Sequence, residues 1–364
     1  YGADELTYLL NDADASVLVF HASFAPLLER IRDKLPSLRH WIAVGEPDHP
    51  SPDWALDYET IVGLGATGGS PRRRTPEDTL LMYTGGTTGL PKGVVWRQTD
   101  LFAALGGGAV LLHNIGPLAD AAEAGERART HDVTVIPPLV AVVVAPLMHA
   151  TGQFTGLSGL TLAGTSAYLP SKRFDPLELW SEVERVQANT LSIVGMAFAT
   201  PMLEALRAHP RRWDLSCLKR IVSSGTIWSA ENKRGLIEQL PQLLLIDSLG
   251  SSEALGLGLS TSTADSATQT ARFAGGPLTA VFSEDGRRVR PGSGERGYVA
   301  VSGPIPLRYH NDPERSARTF RVLEGRRWSL PGDWATVEAD GTIALLGRGS
   351  QVINTGGEKA FPEE

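Results

Sequence analysis

Between residues 140 and 247, short apolar runs alternate with amphipathic ones, and that alternation leaves the chain few ways to fold. Residues 140–145, 190–194, 220–223 and 243–247 are brief and apolar, like strands buried on both faces of a sheet. Segments near 176–186, 197–208 and 230–240 carry apolar residues at helical spacing. Strand, helix, strand in this rhythm predicts a mostly parallel sheet with helices on its faces. Residues 1–62 repeat the rhythm with a helix at 4–10, a buried strand at 16–20, a helix at 24–35 and a strand at 41–44. From about Ala271 the pattern changes. Short strands separated by Asp285-Gly286, Pro291-Gly292, Glu324-Gly325 and Asp340-Gly341 predict a small antiparallel sheet or barrel.

Between the first two regions lies Tyr83-Thr84-Gly85-Gly86-Thr87-Thr88-Gly89-Leu90-Pro91-Lys92-Gly93. It is flanked by apolar residues 80–82 and 94–96, both read as strands. Closely spaced glycines leave backbone N–H groups uncovered, so an anion can approach them. Three threonine hydroxyls add donors, Lys92 adds a positive charge and Pro91 stiffens the loop. This is chemistry for holding a polyphosphate. A Walker A loop is excluded, because its Gly-Lys-Ser/Thr opens a helix, whereas Lys92 sits between Pro91 and Gly93. Gly/Thr-rich turns also join strands for purely structural reasons. After the run, Thr99 or Asp100 can cap a helix beginning at Leu101. Residues 106–138, Gly- and Ala-rich and then charged, read as an insertion with at most one short helix.

With 364 residues the chain is expected to hold two or three domains or one large composite. A net charge of −7 excludes the broad basic field that nucleic-acid binding needs. The single basic triplet, Arg72-Arg73-Arg74, reads as a solvated loop. One cysteine, Cys217, excludes an intrachain disulfide and a cysteine-cluster metal site, and its leucine neighbours suggest a small buried residue. The longest apolar stretch, 138–148, falls short of the ~20 residues a membrane span takes. With no signal peptide visible, a cytoplasmic enzyme is expected. Tyr1 is no initiator, and the last residues stop where a capped helix would start, so truncation at both ends is expected.

Four further segments carry chemistry. Pro146-Leu147-Met148-His149-Ala150-Thr151-Gly152 puts a histidine after a strand, a place where a satisfied core histidine is equally expected. Ser223-Ser224-Gly225 and Asp247-Ser248-Leu249-Gly250-Ser251-Ser252-Glu253 each follow a strand, and loops at the carboxyl ends of parallel strands form ligand crevices. Glu253 alone has a second, lesser reading as a solvated residue at a helix start. Asp333, in Ser329-Leu330-Pro331-Gly332-Asp333-Trp334, alone reads as a turn residue. Gly347-Arg348 and Asn354-Thr355-Gly356-Gly357-Glu358-Lys359 follow.

In this order the five segments resemble the adenylate-forming superfamily of acyl-CoA synthetases, luciferases and peptide-synthetase adenylation domains, over nearly the whole chain. Trp96-Arg97-Gln98 and residues 347–362 are most similar to actinobacterial fatty acyl-CoA synthetases, including members that act on steroid side-chain carboxylates. The resemblance implies an α/β fold, the N-terminal domain of an adenylate-forming enzyme, with two α/β subdomains and a small β-barrel. It divides the chain into 1–160 with the phosphate loop, 161–270, 271–347, and 348–364 as hinge and start of a further domain.

It also implies roles. Thr84, Gly85, Gly86, Thr87, Thr88, Gly89 and Lys92 would cradle the triphosphate. Glu253 would hold Mg²⁺ on the phosphates and Ser252 would contact the α-phosphate. Ser224, Gly225, Asp247, Leu249 and Gly250 would border the nucleotide, with Asp247 accepting from the adenine amino group. Leu249 stands where relatives carry an aromatic, so ring stacking is lost there. Asp333 would take the ribose hydroxyls, Arg348 the ribose or phosphate, and Ser350 the hinge. His149 would line the substrate site in a positioning role, and residues 194–196 with 223–225 would line the acid pocket. The implied reaction joins a fatty or steroid-type carboxylic acid to CoA through acyl-AMP, with ATP, Mg²⁺ and CoA. The chain alone is expected to bind nucleotide but adenylate poorly. An acyl-AMP ligase that loads a carrier protein and a non-catalytic nucleotide or acyl binder stay open. So do the acid itself and self-association into a homo-oligomer.

Overall fold

The computed structural model describes residues 1–65, 73–86, 89–106, 121–130, 138–161, 163–171, 173–226, 228–266, 270–348, 353–355 and 358–360. Its helices are α1 (Ala3–Asp12), α2 (Ala25–Glu29), α3 (Tyr58–Leu64), α4 (Gln98–Gly106), α5 (Ala121–Thr130), α6 (Ala150–Thr161), α7 (Pro176–Val186), α8 (Gly195–Ala208), α9 (Ala230–Gln239) and α10 (Pro313–Thr319). The strands begin with β1 (Val17–His21), β2 (His40–Val44), β3 (Leu56–Asp57), β4 (Thr79–Gly86) and β5 (Gly89–Arg97). Next come β6 (Val140–Val143), β7 (Thr165–Tyr168), β8 (Thr190–Ile193), β9 (Arg220–Ser224), β10 (Leu244–Ser251) and β11 (Ala254–Ser262). The last third holds β12 (Arg272–Phe273), β13 (Thr279–Phe282), β14 (Gly297–Ser302), β15 (Arg308–Tyr309), β16 (Phe320–Leu323), β17 (Arg326–Ser329), β18 (Asp333–Val337) and β19 (Ile343–Arg348). The pair β20 (Ile353–Thr355) and β21 (Glu358–Ala360) closes it. Two compact units result, one of residues 1–95 with 308–313, the other of 96–307 with 314–364.

In the first unit β1, β2 and β3 form a parallel sheet, and β15, β5 and β4 form a second sheet in that order. Phe20, Leu28, Ile31, Leu35 and Trp41 make the core. The strand expected to be buried is buried on one face only, because Val17 and Val19 are 48% and 54% exposed. The helix expected over 24–35 is broken. α2 ends at Glu29, and a separate 3-10 turn at Arg32–Lys34 follows. Leu28, Ile31 and Leu35 are all buried, so the apolar spacing serves two short turns as well as one helix.

The second unit is built on a six-stranded sheet ordered β11-β10-β9-β8-β6-β7. All neighbours pair in parallel except β10 and β11, which form an antiparallel hairpin. α7 shows how the sequence dictates a helix. Asp175 accepts from Leu177 N at 2.8 Å as the N-cap, Pro176 takes the first turn, and Leu179, Trp180 and Val183 form the buried face. Trp180 Nε1 donates to Met202 O on α8 at 3.1 Å, so the buried indole N–H is satisfied.

The expected division at residue 160 falls inside α6, within the run of chain that builds this sheet from β6 to β11. The region expected as a small barrel is a seven-stranded antiparallel sheet ordered β12-β19-β18-β14-β17-β16, with β13 on β14. No pairing closes it among the described residues. α4 starts at Gln98 rather than Leu101, because Arg97 Nε reaches Asp100 Oδ2 at 2.7 Å and draws Asp100 into the first turn. The described part of the 106–138 segment beyond α4 contains α5. No described helix is long and apolar enough to cross a membrane.

Candidate active site

In the second unit His149, Ser224, Gly225 and Glu253 follow or end strands of the six-stranded sheet, at the edge where open α/β sheets bind ligands. β6 leads through residues 144–149 into α6. His149 N donates to Pro146 O at 3.0 Å, and His149 O accepts from Gln153 N at 3.0 Å, so His149 stands at the start of α6. Its side chain is exposed, which removes the buried-core reading. A Cβ on Gly152 would lie 2.3 Å from Ala145 O, so only glycine lets α6 approach the strand end this closely.

β8 leads into Val194 and α8, and Gly195 N donates to Ser223 Oγ at 3.0 Å, tying the β8 and β9 ends together. β9 ends in Ser224 and then Gly225, at φ +93°. A Cβ on Gly225 would lie 3.5 Å from Val194 Cγ1 and 3.7 Å from Thr151 Oγ1. The ends of three strands thus converge on Thr151, Val194 and Gly225, of which Val194 and Gly225 belong to the segments expected to line the acid pocket.

Glu253 lies in the turn between β10 and β11, not at a helix start, and is 7% exposed. The turn is held from two sides. Trp96 Nε1 donates to Ser252 O at 3.0 Å, and Ser329 Oγ donates to Glu253 O at 2.7 Å. Trp96 and Ser329 are themselves fully buried. No group of three or more His, Cys, Asp or Glu arranged for a metal occurs among the described residues. One buried carboxylate suits a hard cation that brings its other oxygen ligands from phosphates and water, as Mg²⁺ does.

Asp247, expected to accept from adenine, has one of its two carboxylate oxygens engaged. Its Oδ2 is taken by Lys233 Nζ of α9, in a buried ion pair. Burial pushes the Asp247 carboxyl above the usual carboxylate range, and Lys233 pulls against it. Leu249 packs against the core of the antiparallel sheet. Asp333, half-buried, opens β18 after Gly332 at φ +107°, and pairs across the strands with Arg348 of β19. The described structure thus brings Asp333 and Arg348 together as cross-strand neighbours.

In the first unit β4 and β5 carry the Gly/Thr run as neighbouring strands. Thr84, Gly85 and Gly86 belong to β4; Gly89 and the half-buried Lys92 belong to β5. Thr87, Thr88 and the expected hinge Ser350 lie outside the described residues. Sequence reasoning missed Trp96, Ser329 and Lys233 as supports. The first two stood inside quoted segments, but their partners are 156 and 76 residues away. Cys217 is half-buried and burial raises its thiol, as expected for a residue that is no nucleophile.

The family described as AMP-binding enzyme matches residues 1–308. The medium/long-chain-fatty-acid–CoA/3-oxocholest-4-en-26-oate–CoA ligase of Mycolicibacterium smegmatis is 35% identical over 381 residues, covering 100% of this chain and 66% of that protein. The medium-chain acyl-CoA ligase Mig of Mycobacterium avium is 36% identical, over 100% of this chain and 65% of its own length. The chain therefore spans just under two thirds of these relatives. Among solved structures, the anthranilate CoA ligase AuaEII in complex with anthranoyl-AMP aligns over 100% of this chain and 64% of its own, with a TM-score of 0.75 at 22% identity. At that identity the likeness concerns the fold.

Proposed function

The chain belongs to the AMP-binding enzyme family, and from that premise we propose that it serves an AMP-forming carboxylic acid:CoA ligase acting on fatty or steroid-type carboxylates. Relatives named for medium- and long-chain fatty acids and for 3-oxocholest-4-en-26-oate, at 35% and 36% identity, support the substrate class. The single observation that carries the reading is the Ser252-Glu253 turn, whose acidic residue is buried and whose two carbonyls are anchored by Trp96 and Ser329. A hard carboxylate oxygen held in a fixed turn suits a cation that takes its other ligands from phosphates and water, which supports a metal-nucleotide role.

In the proposed reaction the acid's carboxylate attacks the α-phosphorus of ATP, giving acyl-AMP and pyrophosphate. The CoA thiolate then displaces AMP. Lys92 and the N–H groups of residues 84–89 are assigned to the triphosphate, where fixed donors stabilise charge without reorganising. Glu253 would hold Mg²⁺, which neutralises phosphate charge when bound. Ser252 is assigned to the α-phosphate. Asp333 and Arg348 are assigned to the nucleoside, so that the reacting atoms stay in line. Thr151, Val194 and Gly225, with His149 and Ser224 beside them, are assigned to the acid. Asp247, Leu249 and Gly250 border the nucleotide, Ser350 is the hinge, and the enzyme is placed in the cytoplasm.

The test incubates the full-length protein with ATP, Mg²⁺, CoA and a panel of fatty and steroid acids, and resolves AMP, ADP and acyl-CoA by mass spectrometry. AMP together with acyl-CoA is expected for some acids. Acyl-adenylate without thioester would redirect the acyl group to a carrier protein. ADP in place of AMP would sink the reading.

A further inference from the structure

Tyr83 is the first residue of the Gly/Thr run and lies on β4, where it is half-buried. Tyr83 OH donates to Asp12 Oδ2 at 2.6 Å, at the last residue of α1. Asn311 Nδ2 donates to Asp12 twice over, to Oδ1 at 3.3 Å and to the backbone carbonyl at 3.2 Å. Asn311 sits at φ +50°, a left-handed conformation that asparagine tolerates better than most residues. Immediately before it, His310 N donates to Gly93 O at 2.7 Å, and Arg308 and Tyr309 pair with Val95 and Val94.

Residues 308–311 therefore hold both limbs of the loop. The outgoing limb, β5, is held by backbone pairing up to Gly93. The incoming limb, β4, is held through Asn311, Asp12 and Tyr83. At Gly93 the limbs are pressed close. A Cβ there would lie 2.7 Å from Leu81 Cδ1 of β4 and 3.2 Å from His310 Cβ. Burial, followed by the Asp12 hydrogen bond, raises the Tyr83 phenol far above its ordinary value, so it stays a donor throughout the neutral range. Tyr83 and Asn311 also occupy the Asp12 carboxylate with donors, which tempers a negative charge near the root of an anion-binding loop.

We infer that Tyr83, Asp12 and Asn311 form a clamp that sets the separation of the two limbs, and that Tyr83 is thereby a positioning residue for the β- and γ-phosphates of ATP. The inference rests on the assignment of residues 84–92 to the triphosphate. Loop N–H groups bind an anion well only when they are already aimed, and the clamp aims them from outside the loop.

The test compares Mg-ATP and AMP binding by calorimetry in full-length wild type, Tyr83→Phe, Asn311→Ala and Lys92→Ala, with thermal melting as the check on folding. AMP lacks the phosphates the clamp serves. Tyr83→Phe and Asn311→Ala are expected to weaken Mg-ATP about tenfold and AMP less than about twofold, the loss of one charge-assisted hydrogen bond. If Tyr83→Phe does not fold, Asp12→Asn supplies the same comparison, since the amide oxygen keeps an acceptor but not the charge. Equal weakening of Mg-ATP and AMP would make the clamp merely structural and overturn the inference. A shifted ATP-to-AMP ratio in Lys92→Ala alone would overturn the clamp and leave the loop assignment standing. An unshifted ratio in Lys92→Ala would overturn both.

Discussion

Ser329 reaches across 76 positions of sequence to donate its hydroxyl hydrogen to the backbone carbonyl of Glu253, at 2.7 Å and wholly out of solvent. Removing it leaves a buried carbonyl without that partner, a loss of about 1–3 kcal/mol. Ser329→Ala is therefore expected to lower stability by that order and to loosen the turn that aims Glu253. In the full-length enzyme the Mg²⁺ concentration for half-maximal rate should rise severalfold, and Glu253→Gln should raise it further. A Ser329→Ala enzyme with reduced stability and unaltered Mg²⁺ response would show that the bond serves folding alone.

Asp285 carries a pH prediction. Ser283 Oγ at 2.5 Å, then Arg287 Nε at 2.6 Å, hold its carboxyl down at about 2, from an ordinary 3.8. A depressed acid stabilises the fold above its unfolded value and loses that contribution as pH falls through the folded one. Wild type should therefore exceed Asp285→Asn in melting temperature above pH 3.8, with the gap closing towards pH 2. The residue is exposed, so added salt should shrink the gap. A gap that widens on acidification would contradict the pairing.

Two glycines in helices should respond oppositely to the same methyl group. On α6, a Cβ at Gly152 would meet Ala145 O at 2.3 Å and Pro146 O at 2.4 Å, both backbone atoms that cannot swing aside. On α3, a Cβ at Gly63 would meet nothing within 4 Å. Gly152→Ala is expected to cost about 1–3 kcal/mol and to raise KM for the acid, since Thr151 is its neighbour. Gly63→Ala is expected to gain about 0.5–1 kcal/mol from helix propensity. Chemical denaturation of both variants checks the pair, and a tolerated Gly152→Ala would refute the close approach of α6 to the β6 end.

The parallel sheet and its helices were legible because their signals are local. Asp175-Pro176 opens α7, and the helix ends at Val186 where the apolar spacing ends. α6 escaped notice because Gly152, Gly156 and Gly159 depress helix propensity, yet all three are buried on one side of it. The strand at 16–20 reads simply as buried because nothing in five residues says what covers each face. Candidate site residues were legible by type and order. Their supports were not, because Trp96, Ser329 and Lys233 act on partners far along the chain, and distance in sequence carries no periodic signal.

Lys233 would pass on any helix for a solvated residue, but it is 0% exposed, and its ammonium sits against Asp247 and 5.8 Å from the Trp228 ring centroid. Lys233→Met would leave Asp247 buried without its countercharge, at a cost of about 3–5 kcal/mol. Lys233→Met combined with Asp247→Leu removes both charges and should recover most of that loss, because apolar replacement of a whole buried pair is often neutral. The recovered double variant then separates two roles for Asp247. If the pair only holds α9 to β10, the double variant should bind ATP and GTP as wild type does. If Asp247 also serves adenine, the double variant should be as stable as wild type yet lose preference for ATP over GTP. Urea denaturation with parallel ATP and GTP titrations checks both parts, and a double variant no more stable than Lys233→Met would rule out the pair as the source of the single variant's loss.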